Sequence, residues 1–250
     1  METPPKLRSR GLMSDKRKPI YLIGGGRGGE RRRGADPLIG EVLGLVGVDK
    51  PSVAYIGAAS GDNPAFLLFI RRILQKAGAG AVTLAPLCGK RADPAKAVKV
   101  LESARVVFMS GGDVEEGMKR IGSAGIARLL HEMYRDGIPF FGVSAGSIML
   151  AQKWVRWTDP DDDTSAELFP CLDLAHVFCD THGEGEGWEE LKELQRLVPA
   201  GSVSYGITSG AALVVDPDGE VRALGREVHR FSRKGRAVAQ IESLLPPRGN

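Results

Sequence analysis

The apolar residues of the first 150 positions occur in short unbroken runs, and most of these runs end in turns rich in glycine. Unbroken apolar runs of this length are typical of strands that are buried on both faces, as in a parallel sheet. The runs that predict such strands are 20–23, 52–56, 81–84, 105–109 and 138–141.

The segments between these runs have the period of amphipathic helices. In the clearest of them, Phe69, Ile70 and Ile73 fall on one face while charged residues take the other. Asp-Pro pairs at 36–37 and 93–94 are typical helix starts, with aspartate as the N-cap and proline at the first position. Strands that alternate with helices predict an α/β fold, a mostly parallel sheet sandwiched by helices. Its functional site is expected beyond the carboxyl ends of the strands.

The pattern loosens after residue 152. The features that follow, in order, are an acidic turn-like stretch at 157–167, an apolar segment at 172–178, a helix at 188–198, short strands at 203–207, 211–215 and 221–224, and a basic tail at 226–236. We therefore predict one α/β domain over residues 19–245, preceded by a disordered basic arm at 1–18.

Composition and charge argue against several classes of function. Much of the positive excess behind the net charge of +3 lies in two local runs, 6–18 and 27–33, so the chain is not predicted to bind nucleic acid. No apolar run approaches the ~20 residues of a membrane span, and none follows the basic N-terminus as in a secretory signal. The three cysteines have no C-x-x-C spacing, which favours free thiols in a reducing, cytoplasmic location.

The last of the apolar runs leads into Gly142-Val143-Ser144-Ala145-Gly146, the G-x-S-x-G pattern of a nucleophile elbow. In that pattern a sharp strand-to-helix turn lifts the serine hydroxyl out of the backbone, and small neighbours let a substrate carbonyl approach. The N–H of Ala145 is then free at the helix N-terminus to hold an oxyanion. The pattern favours nucleophilic catalysis by Ser144, with an ordinary glycine-bounded turn as the alternative.

A serine nucleophile needs a base within hydrogen-bond reach, and the chain has four histidines. His131 falls inside a predicted helix, the apolar run around His176 indicates a buried side chain, and the basic tail around His229 indicates a surface position. His182 follows a strand-like segment in a glycine-rich turn, where an imidazole can project into a crevice. We therefore predict His182 as the general base.

A second oxyanion donor is expected from a glycine turn on a neighbouring strand. The sequence Ser-Gly-Gly-Asp at 110–113 fits, because Gly111 and Gly112 let backbone N–H groups approach a ligand closely. Asp113 is suited to N-cap the helix that follows. Gly111 and Asp113 are also candidate substrate-binding residues.

Several segments carry a family resemblance in matching order: 21–26, 108–113, 142–147, 180–182, 206–207 and 210–213. Together they resemble the peptidase E/cyanophycinase family of serine peptidases. The resemblance implies a flavodoxin-like fold, similar to that of class I glutamine amidotransferases. It also implies Ser144 as nucleophile, His182 as base, and an oxyanion hole from the backbone of Gly112 and Ala145. Family members hydrolyse short acidic substrates, either dipeptides that begin with aspartate or the aspartate–arginine links of cyanophycin.

The chain departs from the family at the residue that orients the histidine. Family members usually carry an acidic residue in the turn where Ser209 stands here. The candidates for the third catalytic member are therefore Ser209 itself and the carboxylates of Asp180, Glu184 and Glu186. Disabling such an acid can cost about 10⁴ in rate. A weak or inactive homologue that binds a small molecule or peptide is accordingly the alternative function.

The loop after His182 is acidic, which bears on the charge of the substrate. Glu184, Glu186 and Asp159 suit a positive group such as a free α-amino end, while a solvated acidic loop is the alternative. The sequence thus predicts a serine-type hydrolase of short peptides or amides, dipeptidase- or aminopeptidase-like. Neither a metal nor an organic cofactor is implied, and a homodimer stays open.

Three other functions fit the sequence less well. A glutamine amidotransferase attacks with a cysteine, whereas position 144 is serine. An α/β-hydrolase esterase would place its acid and histidine late, for instance at Asp216 and His229, and would leave the early glycine turns without a role. A dinucleotide-binding loop at 24–29 lacks a clean G-x-G-x-x-G that leads directly into a helix.

Overall fold

The computed structural model describes residues 16–25 and 34–247. The α-helices in this part of the chain are α1 (Pro37–Gly44), α2 (Pro64–Lys76), α3 (Pro94–Glu102), α4 (Val114–Ser123), α5 (Ala127–Arg135), α6 (Ala145–Leu150) and α7 (Glu189–Leu197). The strands are β1 (Ile20–Ile23), β2 (Val53–Ile56), β3 (Val82–Ala85), β4 (Val106–Met109), β5 (Phe140–Val143), β6 (Lys153–Trp157), β7 (Ala166–Pro170), β8 (Phe178–Thr181), β9 (Val203–Ile207), β10 (Ala212–Val215), β11 (Val221–Leu224), β12 (Val228–Lys234) and β13 (Ala237–Leu244).

A seven-stranded sheet in the order β11-β10-β1-β5-β4-β2-β3 forms the centre of the fold. Within the stretch β1-β5-β4-β2-β3, all neighbouring strands pair in parallel. Beside β1, the strands β10 and β11 form an antiparallel edge. The predicted α/β fold with a mostly parallel sheet is confirmed. Because β1, β5 and β4 are adjacent, the turns that follow them meet at one edge of the sheet.

Both faces of this sheet are covered by helices, which explains the unbroken apolar runs. Along β2, Ala54 and Ile56 pack into a core shared with α3 to α6, whereas Val53 and Tyr55 pack into a second core shared with α1 and α2. The predicted aspartate caps begin two of these helices: Asp36 accepts from the Leu38 N–H, and Asp93 caps α3 in the same way. Burial of both faces therefore fixes the strands that lead to the site.

The second half of the chain adds a four-stranded sheet, β13-β12-β9-β8, and a β6–β7 ribbon. Helix α7 packs against both, through a core made of Val155, Trp188, Leu191, Leu194, Val198 and Phe231. Strand β8 pairs in parallel with β9, with Thr181 beside Ile207. This arrangement fixes the position at which the chain leaves β8.

The sequence pattern predicts none of β6, β7, β12 and β13, and the expected basic tail at 226–236 instead lies mostly in the β12–β13 hairpin. These strands were not visible in the sequence because they are short of buried apolar positions. β13 has no buried residue, and β12 buries only Val228 and Phe231. β13 forms the edge of its sheet, and β12 pairs with β13 on one side and with β9 on the other.

The expected disordered arm at 1–18 lies outside the described residues as far as position 15. Its described remainder packs on the domain: the Arg17 guanidinium donates a hydrogen bond of 3.1 Å to the Pro217 carbonyl and lies over the Tyr134 ring.

Within residues 16–25 and 34–247, no helix is both long enough and apolar enough to cross a membrane. Cys88, Cys171 and Cys179 are free thiols, and Cys88 and Cys179 are buried.

Candidate active site

Ser144 stands at the tip of the turn between β5 and α6, with φ 55° and ψ −126°. A positive φ is uncommon for a residue with a side chain and costs of the order of 1–3 kcal/mol. Two glycines make the turn possible. A methyl group at Gly142 would overlap the backbone of Gly146, and one at Gly146 would overlap the Met109 carbonyl. The G-x-S-x-G spacing is therefore required by close approach of α6 to β5 and β4.

Hydrogen bonds to β1 hold this turn in place. The Ser144 N–H and the Ser147 hydroxyl both donate to the Ile23 carbonyl oxygen, each at 2.9 Å. Every residue of α6 is buried. The serine side chain is thus carried by a rigid turn, although its own backbone is strained.

The Ser144 hydroxyl lies 2.8 Å from Nε2 of His182, which is the distance of a hydrogen bond. His182 follows β8 directly, with a left-handed backbone (φ 46°), and its N–H donates to the Ile207 carbonyl at 2.9 Å. The two side chains therefore come from the ends of strands in different sheets. The structure brings together the serine and the histidine that the sequence singles out.

The other histidines lie elsewhere, and two of the expectations about them are wrong. The side chain of His176 is not buried: it is 63% exposed and contacts Asp173, because the segment turns it outward. His229 is not a surface residue of a tail: it lies in β12, half-buried against the Trp188 ring. His131 lies in α5, where its ring bonds the Ala127 carbonyl.

Two residues beside Ser144 have backbone N–H groups without a protein acceptor among the described residues. Gly112 and Ala145 line the same cavity as Ser144, and neither N–H donates to a described residue. Gly112 has φ 142°, and a methyl group there would overlap the Ala59 carbonyl, so only glycine fits. Gly111 packs against Ser144 from the other side, where an added methyl carbon would lie 3.1 Å from the serine Cβ.

The cavity beside Ser144 and His182 has a volume of about 310 Å³. Its polar and charged lining is mostly acidic, and its apolar lining comes from α4, α6 and two tryptophans. The side chains that line it are Asp113, Val114, Ser144, Ala145, Ile148, Trp154, Asp180, Thr181, His182, Glu186, Trp188, Glu189 and Glu190. A second cavity of about 600 Å³, lined mainly by apolar residues of α1 and α2, also reaches Ser144 and Gly112.

Asp180 is the most buried carboxyl group of the cavity, at 7% exposed. Burial, together with the negative charges of Glu190 and Glu186, raises the pKa of Asp180 to about 7, although a hydrogen bond of 2.7 Å from the Thr181 N–H opposes this shift. Desolvation and the charge of Glu186 likewise raise the pKa of Glu190. Asp180 and Glu190 are therefore both crowded by the charge of Glu186, while the His182 imidazole opposes the shift of Glu190.

Glu184 and Ser209 meet at the turn after β9. The Ser209 N–H donates to Oε1 of Glu184 at 3.0 Å. Burial alone would raise the pKa of Glu184, but hydrogen bonds from Ser209 and the neighbouring His182 imidazole outweigh it and lower that pKa. The Glu184 carboxylate therefore lies at the turn where the chain itself has Ser209 and no acidic residue.

The remaining predicted residues divide between the cavity and the surface. Asp113 lines the cavity and also caps α4 by accepting from the Glu116 N–H at 2.8 Å. Asp159 does not line it: its Oδ1 accepts from the Asp161 N–H within an exposed turn. The glycine-rich segment that follows the apolar run at 20–23 is described only at Gly24 and Gly25, because residues 26–33 lie outside the described residues.

Sequence reasoning missed Trp154, Trp188 and Glu190. Trp154 lies in β6, a strand that the pattern does not predict. Trp188 precedes α7 with a left-handed backbone, and its ring packs on Gly206, where an added methyl carbon would lie 3.0 Å from three of its ring carbons. Glu190 lies two residues further along, so its position follows from that of Trp188. The signal in the sequence that could have indicated Trp188 is its position directly after the glycine-rich loop at 183–187.

Among the described residues, no group of three or more His, Cys, Asp or Glu side chains is placed to hold a metal ion. The carboxyl groups near Ser144 therefore do not form a metal centre of that kind.

Both the sequence and the fold of the chain are similar to those of known peptidases. The sequence model of peptidase family S51 matches residues 20–223. The fold resembles the crystal structure of a peptidase from an acI-B1 Actinobacterium, with a TM-score of 0.68 and 18% identity over 92% of this chain and 97% of that one. It also resembles a protein described as a peptidase E from Listeria monocytogenes EGD-e, with a TM-score of 0.61 and 16% identity over 83% and 98% of the two chains. No curated protein matches the sequence significantly.

The raised pKa of Asp180 predicts how its removal changes stability with pH. Because the folded protein holds this proton up to about pH 7 while the unfolded chain releases it near pH 3.8, ionisation opposes folding as the pH rises. Between pH 5 and 8 the wild type should lose about 2–3 kcal/mol of unfolding free energy relative to Asp180→Asn. Urea denaturation at both pH values measures this difference.

The exposed Asp136, at the end of α5, provides the matched control. The unfolding free energy of Asp136→Asn should differ from that of wild type by the same amount at both pH values. If the difference in unfolding free energy between wild type and Asp180→Asn is the same at both pH values, the pKa of Asp180 is not raised in the folded protein.

Proposed function

The chain belongs to peptidase family S51, and we propose that it hydrolyses short peptides or small amides with Ser144 as the nucleophile. The observation that carries the proposal is the hydrogen bond of 2.8 Å between Ser144 and His182 at the edge of a cavity. A serine needs such a base to attack a carbonyl at neutral pH. The cavity volume, about 310 Å³, suits a small substrate.

In the proposed reaction, the Ser144 oxygen attacks the substrate carbonyl carbon while its proton passes to Nε2 of His182. The C–N bond then breaks, and the imidazolium returns the proton to the leaving amine. A water molecule, activated by the same imidazole, hydrolyses the acyl-enzyme and restores the serine.

The developing oxyanion is assigned to the N–H groups of Gly112 and Ala145. Both border the cavity, and neither has an acceptor among the described residues. Preorganised donors of this kind are worth about 10²–10³ in rate, because they need no rearrangement as charge develops. The left-handed glycine at 112 and the first turn of α6 are the features that aim these donors.

We assign the third role, orientation of His182, to Glu184. Its carboxylate is held by the Ser209 N–H and interacts electrostatically with His182. Asp180 is less suited, because its Oδ1 accepts from its own neighbour and its pKa is raised rather than lowered. Glu186 faces Asp180 and Glu190 instead.

The alternative function is that of an inactive homologue that only binds its ligand, and it arose because position 209 carries serine instead of an acid. The placement of Glu184 at that turn favours an active enzyme. The free thiols of Cys88, Cys171 and Cys179 support a reducing, cytoplasmic location for it.

Replacement of the nucleophile tests the proposal directly. Ser144→Ala should lower turnover of a responsive short peptide by about 10³–10⁶-fold, because no other hydroxyl of the described residues is held by His182. The assay is release of free amine from a panel of di- and tripeptides that vary in their first residue, with free and acetylated N-termini. Ser123→Ala, at an exposed serine that ends α4, is the control and should match wild type.

Two results would count against the proposal. Turnover in Ser144→Ala above about a tenth of wild type would remove the serine from the reaction. No turnover by wild type on any peptide or amide would favour the binding homologue.

Substitution of Glu184 tests the orienting role. Glu184→Gln should lower kcat by about 10²–10⁴-fold and leave KM within a few-fold, because the neutral amide no longer stabilises the imidazolium formed in the transition state. Glu184→Asp should restore part of kcat, and the unfolding midpoint of both variants should stay near that of wild type. Glu193→Gln on α7, where the native side chain pairs with Arg196, is the charge-matched control. If Glu184→Gln changes KM but leaves kcat unchanged, Glu184 does not orient His182.

A further inference from the structure

The cavity beside Ser144 is strongly acidic in a chain whose net charge is positive. Five carboxyl groups line it, and no Lys or Arg does among the described residues; the five are those of Asp113, Asp180, Glu186, Glu189 and Glu190. His182 is the single basic side chain in that lining, and it is engaged with Ser144. The cavity therefore presents a concentrated negative field directly beside the reacting atoms.

Carboxylates elsewhere on the described surface differ, because many of them have an arginine partner. Arg156 pairs with both Glu115 and Glu167, and Arg222 pairs with Asp216. Further pairs are Arg120–Glu116, Arg128–Glu132 and Arg196–Glu193. None of the five carboxyl groups of the cavity forms an ion pair with an arginine or lysine among the described residues, although Glu186, Glu189 and Glu190 also line a neighbouring pocket with Lys192 and Arg196.

Asp180 gives a second and independent indication of a ligand. Its side chain is 7% exposed, and its Oδ1 accepts from the Thr181 N–H. Its Oδ2 accepts no hydrogen bond from any described residue, although Asp180 lines the cavity. Because Oδ2 has no protein partner among these residues and Asp180 lines the cavity, a cation from the ligand would pair with this oxygen.

The apolar part of the lining suits the stem of a long basic side chain. Trp154 and Trp188 supply aromatic walls, and Val114 and Ile148 supply aliphatic ones. Lysine and arginine bury their methylene stems along apolar surface while the charged head group meets polar partners. Arginine and lysine also bind favourably over tryptophan rings.

We infer that this cavity binds a positively charged group of the substrate, an ammonium or a guanidinium, and that Asp180, Glu186 and Glu190 recognise it. This inference rests on the proposed function, because it names the substrate charge for the same site. The apolar walls favour a lysine or arginine side chain as the source of the charge over a free α-amino group. Substrates with a carboxylate at this position are repelled.

Binding to the Ser144→Ala protein tests the inference without any turnover. The probes are matched tripeptides that carry lysine, norleucine, arginine, citrulline or glutamate at one position, scanned through all three positions, each with a free or an acetylated N-terminus. Isothermal titration calorimetry should give an affinity at least 10-fold higher for lysine than for norleucine, and for arginine than for citrulline, at one position. Glutamate should bind least well.

Two substitutions in the cavity then assign the effect to its carboxylates. In the Ser144→Ala background, the double variant Glu186→Gln, Glu190→Gln should reduce the preference for a cation to less than 3-fold and leave norleucine binding unchanged. Asp180→Asn should reduce it in the same direction. Glu193→Gln changes the charge of the same helix outside this cavity and should preserve the preference.

The outcomes separate this inference from the proposed function. Equal binding of lysine, norleucine and glutamate probes, or a cation preference that survives the double variant, would overturn the inference. Loss of binding on acetylation alone supports the cation site and assigns it to the α-ammonium. Wild-type turnover without any charge preference would sustain the proposed function and refute the inference, whereas charge-dependent binding without turnover would do the reverse.

Discussion

The strained backbone of Ser144 is the constraint on which the rest of the site depends. The serine reaches the sheet edge only because Gly142 and Gly146 allow α6 to press against β5 and β4. The Ile23 carbonyl then accepts from both the Ser144 N–H and the Ser147 hydroxyl, so the central strand β1 holds the turn. Strain of this kind persists only where surrounding contacts over-determine it, and the buried α6 supplies those contacts.

A second constraint is that the histidine must arrive from another sheet. Parallel pairing of β8 with β9 sets the exit of the chain, and the left-handed residue His182 turns it toward Ser144. Trp188 packs against Gly206 and Phe231, which fixes the start of α7 beside the same cavity. The second half of the chain thus positions both His182 and the acidic wall of the cavity.

The sequence predicted the first half of the chain well and the second half only in part. The strands of the central sheet are buried on both faces, and burial of this kind leaves the unbroken apolar runs seen at β1, β2 and β4. The G-x-S-x-G motif was readable because sterics at Gly142 and Gly146 demand glycine. The strands β12 and β13 were not readable, because β13 has no buried residue and β12 buries only Val228 and Phe231. Glu184 was one of three candidate carboxylates, and the sequence could not choose among them because the contact between Glu184 and Ser209 joins residues that are 25 positions apart.

The most direct test of the central claim, that the turn and His182 together activate Ser144, is labelling with a fluorophosphonate. Attack by an activated serine oxygen forms an O–P bond and expels fluoride. Mass spectrometry of the native wild type should then find the label on Ser144, with loss of labelling in His182→Ala and in urea-unfolded protein. Labelling that is absent from the native protein, or equally fast in His182→Ala, would contradict the account.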